Sequence, residues 1–196
     1  MTTSLKDYVQ KLLEEHRGER VFRFEYLGKH YWLKQPEQLK GIWLLLKPYP
    51  KQHFEEECEI LQHLNNIGAP VPKLCDFGDD YLVLEDAGPT LNSWLNDEKL
   101  SWAEKSHILH SAIEILINLH QKGIIHGRPA IRDIAWKEGK ITFMDFESHS
   151  KSHNEHWLIT RDMLAFLDSL CRVKSLDDEK LNELFDYYKS HCPITY

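Results

Sequence analysis

Two aspartates, Asp133 and Asp145, are the residues whose type and spacing point most directly to chemistry. They lie 12 positions apart, and the interval reads as a strand, a turn at 138–140 and a return strand. Such a hairpin would bring both carboxylates to the same edge of a short two-stranded sheet. Because Mg²⁺ prefers one or two carboxylates together with phosphate oxygens, we expect the pair to hold a magnesium ion. The alternative is that both are turn and strand-end residues, where Asp is common.

The loop before these carboxylates carries His126-Gly127-Arg128, which ends five residues ahead of Asp133. An arginine does not accept a proton near neutral pH, but it can stabilise a phosphate or a charge that develops in a transition state. We therefore take His126, Arg128 and Asp133 as the candidate catalytic residues. Arg128 would contact the phosphate group that is transferred, and Asp133 would serve as a base as well as a metal ligand.

The composition limits the size of the core and the kinds of partner that this protein can have. With 196 residues, of which 42% are hydrophobic, the chain can bury one core or divide it between two small lobes. The net charge of −7 argues against a general affinity for nucleic acid or anionic membranes. The sequence has no apolar run near the ~20 residues that span a bilayer, and its polar start is unlike a signal peptide. Four scattered cysteines are typical of free thiols in a cytoplasmic protein.

Periodicity predicts the elements that must position the site. Alternating residues at 21–26 and 30–34 predict a first hairpin, and 134–144 predicts a second. A short buried strand is expected at 81–84. Helical periods are found at 4–15, 54–67, 102–121, 156–173 and 177–190, with a short helix capped by Thr90 or Asn92. A strand-rich first third followed by a helical remainder is an α+β arrangement.

Three further motifs connect the chain to a known family. Leu119 to Gly127 reads LHQKGIIHG, Phe54 to Leu61 reads FEEECEIL, and Gly68 to Leu74 reads GAPVPKL. Their order and spacing resemble small atypical kinases, namely the KEOPS-complex kinase, the RIO kinases and the bacterial lipopolysaccharide-sugar kinases. The resemblance covers roughly residues 20 to 170. It implies a protein-kinase-like fold, a minimal two-lobed domain with a small strand-rich N-terminal lobe (1–88) and a helical C-terminal lobe (89–196). The catalytic-loop-like segment would be 124–147.

The same resemblance implies ATP and Mg²⁺ as cofactors and assigns the residues that bind the nucleotide. A strand lysine paired with a helix glutamate would hold its phosphates. Lys34 and Glu57 are in matching positions, and Lys47 is the alternative lysine. The run from Tyr81 to Asp86 resembles the hinge that offers backbone groups to adenine, so Glu85 and Ala87 are expected to bind the base.

Other positions either complete or depart from the family pattern. Asp162, in the pair Arg161-Asp162, lies where these families carry an aspartate that braces the catalytic loop from the following helix. There is no G-x-G-x-x-G loop over the phosphates, and Glu147 replaces the glycine of a D-F-G triplet. Most importantly, Arg128 stands where the family has its catalytic aspartate.

Three functional hypotheses follow, and the sequence leaves them open. The first is a cytoplasmic phosphotransferase that acts on a small molecule or a lipopolysaccharide sugar, or an ATPase. The second is a catalytically impaired pseudokinase that binds nucleotide or a protein partner, and a helical adaptor unrelated to kinases is a third. The two retained carboxylates favour the first hypothesis, whereas Arg128 favours the second. Neither a nucleic-acid partner nor a membrane span is expected.

Overall fold

The computed structural model describes residues 4–37, 50–146 and 154–192. Lys47 and Glu147, which figure in the sequence-based predictions, lie outside these residues. The chain divides into two compact units. The first comprises Met1–Gly68 and Pro72–Asp86, and the second comprises Ala69–Val71 and Ala87–Tyr196.

The first unit is built on an antiparallel sheet. In chain order its elements are α1 (Leu5–Glu15), β1 (Val21–Tyr26), β2 (Lys29–Lys34), α2 (Pro50–Asn66), β3 (Leu74–Gly78) and β4 (Tyr81–Glu85). The strands are ordered β1-β2-β4-β3. The predicted hairpin at 21–34 is confirmed, with Val21 opposite Lys34 and Tyr26 opposite Lys29. Lys34 also pairs with Leu82 of β4, so the last residue of β2 is fixed on both sides.

The core of this unit lies between α1 and the sheet. Val9 and Leu12 of the helix face the alternating inward residues of the strands, as expected for an amphipathic helix on a half-buried sheet. The buried cluster consists of Val9, Leu12, Phe24, Tyr31, Leu33, Tyr81 and Val83. The strands that carry Lys34 and Glu85 are therefore held by apolar packing on one face.

Two features of the first unit were not predicted. β3 was missed because Leu74–Gly78 is only partly buried and does not alternate apolar with polar residues. Helix α2 begins at Pro50, four residues before the periodic pattern starts at Phe54. A proline is compatible with the first turn of a helix because the amide hydrogen that it lacks has no partner there.

The second unit is mainly helical and includes a two-stranded hairpin. Its elements are α3 (Leu91–Leu95), α4 (Trp102–Gln121), β5 (Ile134–Lys137), β6 (Lys140–Phe143), α5 (Glu155–Leu170) and α6 (Asp178–His191). Thr90 caps α3, and a capping box between Ser101 and Glu104 begins α4. The buried face of α4 includes Ile108, Leu109, Ala112, Ile113 and Leu116, which is the stripe that the sequence predicts.

The α+β class is confirmed, and the two predicted hairpins belong to separate sheets. The first unit supplies the strands around Lys34, and the second supplies the loop and hairpin that carry the two aspartates. None of the helices in the described ranges is sufficiently long and apolar to cross a membrane.

Candidate functional site

The β5–β6 hairpin brings Asp133 and Asp145 to the same end of one short sheet. Ile134 pairs with Phe143 at the open end of the hairpin. The amide of Met144 donates to the carbonyl oxygen of Asp133 at 2.8 Å, so the pairing extends one step beyond the strands. Asp133 thus directly precedes β5, and Asp145 follows β6 by two residues. The convergence expected from the 12-residue interval is present.

The electrostatics of Asp133 show that the two carboxylates interact. The Asp133 side chain is only 14% exposed. Burial raises the pKa of Asp133, and the negative charge of Asp145 raises this pKa further. Arg132, whose Nε lies 3.5 Å from the carboxylate, and Arg128 act in the opposite direction without cancelling the rise. A divalent cation would relieve this repulsion, so the donor set fits Mg²⁺, which binds one or two carboxylates and completes its shell with water and phosphate oxygens.

Asp145 adopts an uncommon backbone conformation. Its φ angle is 56°, in the left-handed region that Asp and Asn tolerate better than most residues. Its side chain is exposed, whereas Phe146, the next residue, is buried against the ring of His126 at 4.5 Å. The turn therefore directs one residue into the core and leaves the carboxylate accessible. Such conformations persist only where the surrounding structure holds them, and they are concentrated at functional sites.

The loop that carries Arg128 is anchored by a buried aspartate. Asp162 of α5 is completely buried, and its two carboxylate oxygens accept the backbone N–H groups of His126 and Gly127, both at 2.8 Å. Hydrogen bonds to a carboxylate are stronger than those between neutral groups. The brace that the family resemblance implied is therefore present at Asp162.

Behind Asp162 lies a buried network that the sequence did not suggest. His120 of α4 bonds Asp162 through Nε2 at 3.2 Å and the Tyr188 hydroxyl through Nδ1 at 2.9 Å. His120 and Tyr188 are each 2% exposed. The network joins α4, α5 and α6 directly beneath the catalytic-loop-like segment. Three helical positions so far apart in sequence give no local signal of their contact.

His126 connects the loop to the segment that carries Asp145. Its Nε2 donates to the carbonyl oxygen of Met144 at 2.7 Å, and its Nδ1 accepts the amide of Arg128 at 3.3 Å. A carbonyl can only accept and an amide can only donate, so the ring is the neutral tautomer protonated at Nε2. His126 is fully buried, and this geometry makes it a residue that positions its neighbours. A direct part for His126 in catalysis stays a prediction.

Arg128 follows this anchored backbone with an exposed side chain. Its positive charge lowers the pKa of Asp133, which places the guanidinium within electrostatic reach of that carboxylate. The residue also lines a pocket formed with α3 and α5. A cation therefore lies within electrostatic reach of one candidate metal ligand, Asp133.

Within the first unit, Lys34 and Glu57 form an ion pair between β2 and α2. Their side chains are 15% and 25% exposed, so the charges are largely shielded from solvent. Salt screens a partly buried pair of this kind less than it screens an exposed surface pair. The predicted contact is confirmed, while the role of Lys34 in holding phosphates stays a prediction.

The predicted hinge residues lie at the end of β4 and just beyond it. Glu85 is the last residue of β4, and its amide donates to the carbonyl oxygen of Lys73 at 2.9 Å. The carboxylate of Asp86 lies 2.7 Å from Nη2 of Arg23 and pairs with it. The amide of Asp86 donates to the carbonyl oxygen of His30 at 3.0 Å. These bonds fix the backbone up to residue 86, and Ala87 begins the second unit.

Comparison with known proteins gives the family. A sequence model described as the RIO domain matches residues 47–180, which is more than half of the chain. A protein of Haemophilus influenzae, described as an uncharacterized protein, is 49% identical over 187 residues. That match covers 95% of this chain and 77% of the relative. With the α+β architecture and the braced loop already described, these findings show that the chain belongs to the RIO-domain family of atypical, kinase-like proteins.

Proposed function

We propose that this protein is an ATP- and Mg²⁺-dependent phosphotransferase. The observation that carries the proposal is the convergence of Asp133 and Asp145 at the end of one hairpin, next to a loop braced by Asp162. A pair of facing carboxylates costs free energy through mutual repulsion. A metal–nucleotide complex at this position would remove that cost and provide a reason for keeping both residues.

The remaining candidate residues are assigned by the groups that they offer. Lys34, oriented by Glu57, would bind the α- and β-phosphates as a point charge. The edge of adenine carries both a hydrogen-bond donor and acceptors. Glu85, whose amide is already engaged, would contribute its carbonyl oxygen, and Ala87 its amide. The bound Mg²⁺, held by Asp133 and Asp145, would neutralise charge on the phosphate oxygens.

The transfer step requires few changes of bonding. A hydroxyl oxygen of the acceptor, or of water in an ATPase reaction, forms a bond to the γ-phosphorus. The bond from that phosphorus to the β–γ bridging oxygen breaks, and ADP leaves. The hydroxyl proton passes to a carboxylate oxygen of Asp133, which acts as the base. Arg128 supplies a cation for the negative charge on the transferring group.

Two observations support a small acceptor and a cytoplasmic location. Only nine residues separate Asp145 from the start of α5 at Glu155, which is too short for a long platform that positions peptides. This favours a small molecule or a lipopolysaccharide sugar as the acceptor.

Cys58, Cys75, Cys171 and Cys192 are all free thiols, as is usual in a reducing compartment.

ATP hydrolysis by the wild type, Arg128→Ala and Asp145→Asn tests the proposal under identical conditions. Removing one stabilising group of this kind typically lowers turnover by about 10²–10³-fold. We expect both substitutions to reduce Mg²⁺-dependent hydrolysis steeply while the folded fraction, measured by circular dichroism, stays the same. Equal rates in all three proteins would contradict an ATPase activity at this site, and transfer would then have to be sought with a sugar acceptor.

A pseudokinase is the second candidate, and a specific observation favours it. Arg128 occupies the place of the residue that accepts the proton in related enzymes, and its charge already acts on Asp133. In a pseudokinase this cation would substitute for the metal ion. Nucleotide binding would then be weak or independent of Mg²⁺, and Arg128→Ala would create a dependence on Mg²⁺ instead of removing turnover.

A further inference from the structure

A pocket of about 320 Å³ lies beside the candidate catalytic loop, within the second unit. Residues of the loop form one wall, α3 forms another, and the end of α5 forms the third. The two carboxylates of the metal site are not among its lining residues. The pocket is therefore a separate feature that adjoins the site through Arg128 and Arg132.

The charges around this pocket are predominantly positive. Arg128, Arg132 and Arg172 line it, and Asp168 is the acidic residue of the lining. Asp168 forms an ion pair with Arg172 one turn later on the helix. Arg132 Nε also lies 3.5 Å from the carboxylate of Asp133, so the three arginines are set against two aspartates. Their guanidinium groups have the planar donor geometry that suits oxyanions.

Backbone hydrogen bonds give the pocket a fixed frame. The amide of Asn92 in α3 donates to the carbonyl oxygen of Ile131 at 3.1 Å. The amide of Ile131 donates to Ser169 Oγ at 3.1 Å, and this hydroxyl in turn donates to the carbonyl oxygen of Phe166 at 2.6 Å. The loop is thus bonded to both helices, and the arginines project from anchored backbone.

We infer that this pocket binds a phosphate group carried by the acceptor. A phosphate monoester has a charge of about −1.5 to −2 at neutral pH, so it is attracted to a pocket in whose lining arginines outnumber aspartates. Arg132 Nε lies 3.5 Å from the carboxylate of Asp133, so this wall of the pocket reaches the proposed base. The inference rests on the proposed function for its catalytic meaning, but the binding of phosphate stands independently of nucleotide.

Protection of arginines from chemical modification tests the inference directly. Phenylglyoxal would be applied without ATP or Mg²⁺, with inorganic phosphate or with chloride at equal ionic strength, and the modified residues mapped by mass spectrometry. At a phosphate concentration about tenfold above its Kd, modification of Arg172 should fall about tenfold, because about a tenth of the sites stay free. Arg20, an exposed arginine paired with Glu37 in the first unit, should be modified at the same rate in both conditions.

Two substitutions of exposed residues should change phosphate affinity in opposite directions. Arg172→Gln removes a cation and should weaken binding by about tenfold, the usual scale for one charge-assisted hydrogen bond. Asp168→Asn removes the competing carboxylate and should strengthen binding. Arg20→Gln should leave affinity unchanged. Equal protection of Arg172 and Arg20, or equal phosphate affinity in all four proteins, would overturn the inference.

Further experiments distinguish a soluble from a lipid-linked source of the phosphate group. They also distinguish the phosphate pocket from the proposed ATP-dependent function. Glucose 6-phosphate, with glucose as its control, represents a soluble phosphorylated sugar, and lipid A in detergent micelles, with empty micelles as control, represents a lipid-linked one. Protection of Arg172 by one of them supports the pocket and identifies the source. If phosphate protects Arg172 but Mg²⁺–ATP does not stabilise the protein, the proposed function fails and the phosphate pocket stands.

Discussion

At the scale of single residues, Asp162 is the side chain on which the site depends most. It is buried without exposure and satisfies three donors, two from the loop backbone and one from His120. An unpaired donor left in such a place keeps its full desolvation cost. The position of Arg128 relative to the hairpin therefore depends on a carboxylate that is buried away from solvent.

Asp162→Asn should lower the free energy of unfolding by about 3 kcal/mol. The side-chain NH₂ of asparagine would face a loop N–H group, and two donors cannot form a hydrogen bond. The buried charge-assisted network would therefore be broken. Urea denaturation followed by circular dichroism measures this. Asp168→Asn makes the same exchange on the exposed side of α5 and should change stability by no more than about 0.5 kcal/mol. Similar losses in both variants would mean that the brace is not specific to Asp162.

Asp133 should make the stability of the protein depend on pH. Its pKa is raised in the folded state above the ordinary value of 3.8. Protonation of Asp133 therefore favours folding, and this contribution is complete below pH 3.8 and lost as pH rises through the higher folded pKa. At neutral pH the ionised carboxylate lowers stability.

Asp133→Asn should consequently raise the melting temperature at neutral pH, and its advantage over the wild type should shrink as pH falls toward 3.8. Differential scanning calorimetry between pH 4 and pH 8 follows this difference. Asp80→Asn, in the exposed turn between β3 and β4, removes one carboxylate outside the candidate site and serves as the matched control. An advantage for Asp133→Asn that grows in acid would contradict a raised pKa at this carboxylate.

At the scale of elements, the chain between β4 and α3 packs closely against the hairpin. The amide of Trp136 donates to the carbonyl oxygen of Pro89 at 3.0 Å, and Thr90 forms a bridge with Ala135. Gly88 allows this approach, because a Cβ atom there would lie 2.9 Å from Cβ of Lys137. Its φ of 91° is also unfavourable for other residues.

Gly88→Ala should destabilise the protein by more than Gly139→Ala does. Gly139 has a similar φ of 80°, but no atom lies within 4 Å of the added Cβ. The strained backbone costs about 1–2 kcal/mol at either position, and the contact with Lys137 should add about 1–3 kcal/mol at Gly88 alone. Denaturant titrations of the two variants measure the difference. Equal losses would show that the segment moves away from the hairpin at little cost.

Local patterns predicted the elements better than the contacts between them. Alternation and helical periods predicted both hairpins and the long helix α4, because each of these buries one face with a regular period. β3 was missed because it is a partly exposed strand whose partner β4 supplies most of the buried residues. The Asp162–His120–Tyr188 network was not predicted apart from Asp162, since contacts across 42 and 68 residues are not encoded in any local period.

At the scale of the whole molecule, the chain belongs to the RIO-domain family, as the match over residues 47–180 shows. The residues that the two units carry agree with this assignment. The first unit holds the Lys34–Glu57 pair, and the second holds the braced loop and the two aspartates. Arg128 stands where the family resemblance leads one to expect an aspartate. We propose that Asp133 and Asp145 nevertheless hold a metal–nucleotide complex.

The most direct test of this claim is the melting temperature with ATP, measured with and without Mg²⁺, in the wild type, Asp145→Asn and Glu138→Gln. Asparagine tolerates the left-handed backbone of Asp145, so this substitution removes charge with little strain. Glu138 lies in the same hairpin, is exposed and has a φ of 51°, which makes it a close control for the φ of 56° at Asp145.

At about 100-fold above its Kd, Mg²⁺–ATP should stabilise the folded wild type by about 2.7 kcal/mol. For a chain of this size each kcal/mol corresponds to about 2–4 °C in melting temperature. The Mg²⁺-dependent part of this rise should disappear in Asp145→Asn and persist in Glu138→Gln. An undiminished Mg²⁺-dependent rise in Asp145→Asn would contradict the assignment of the metal to Asp133 and Asp145.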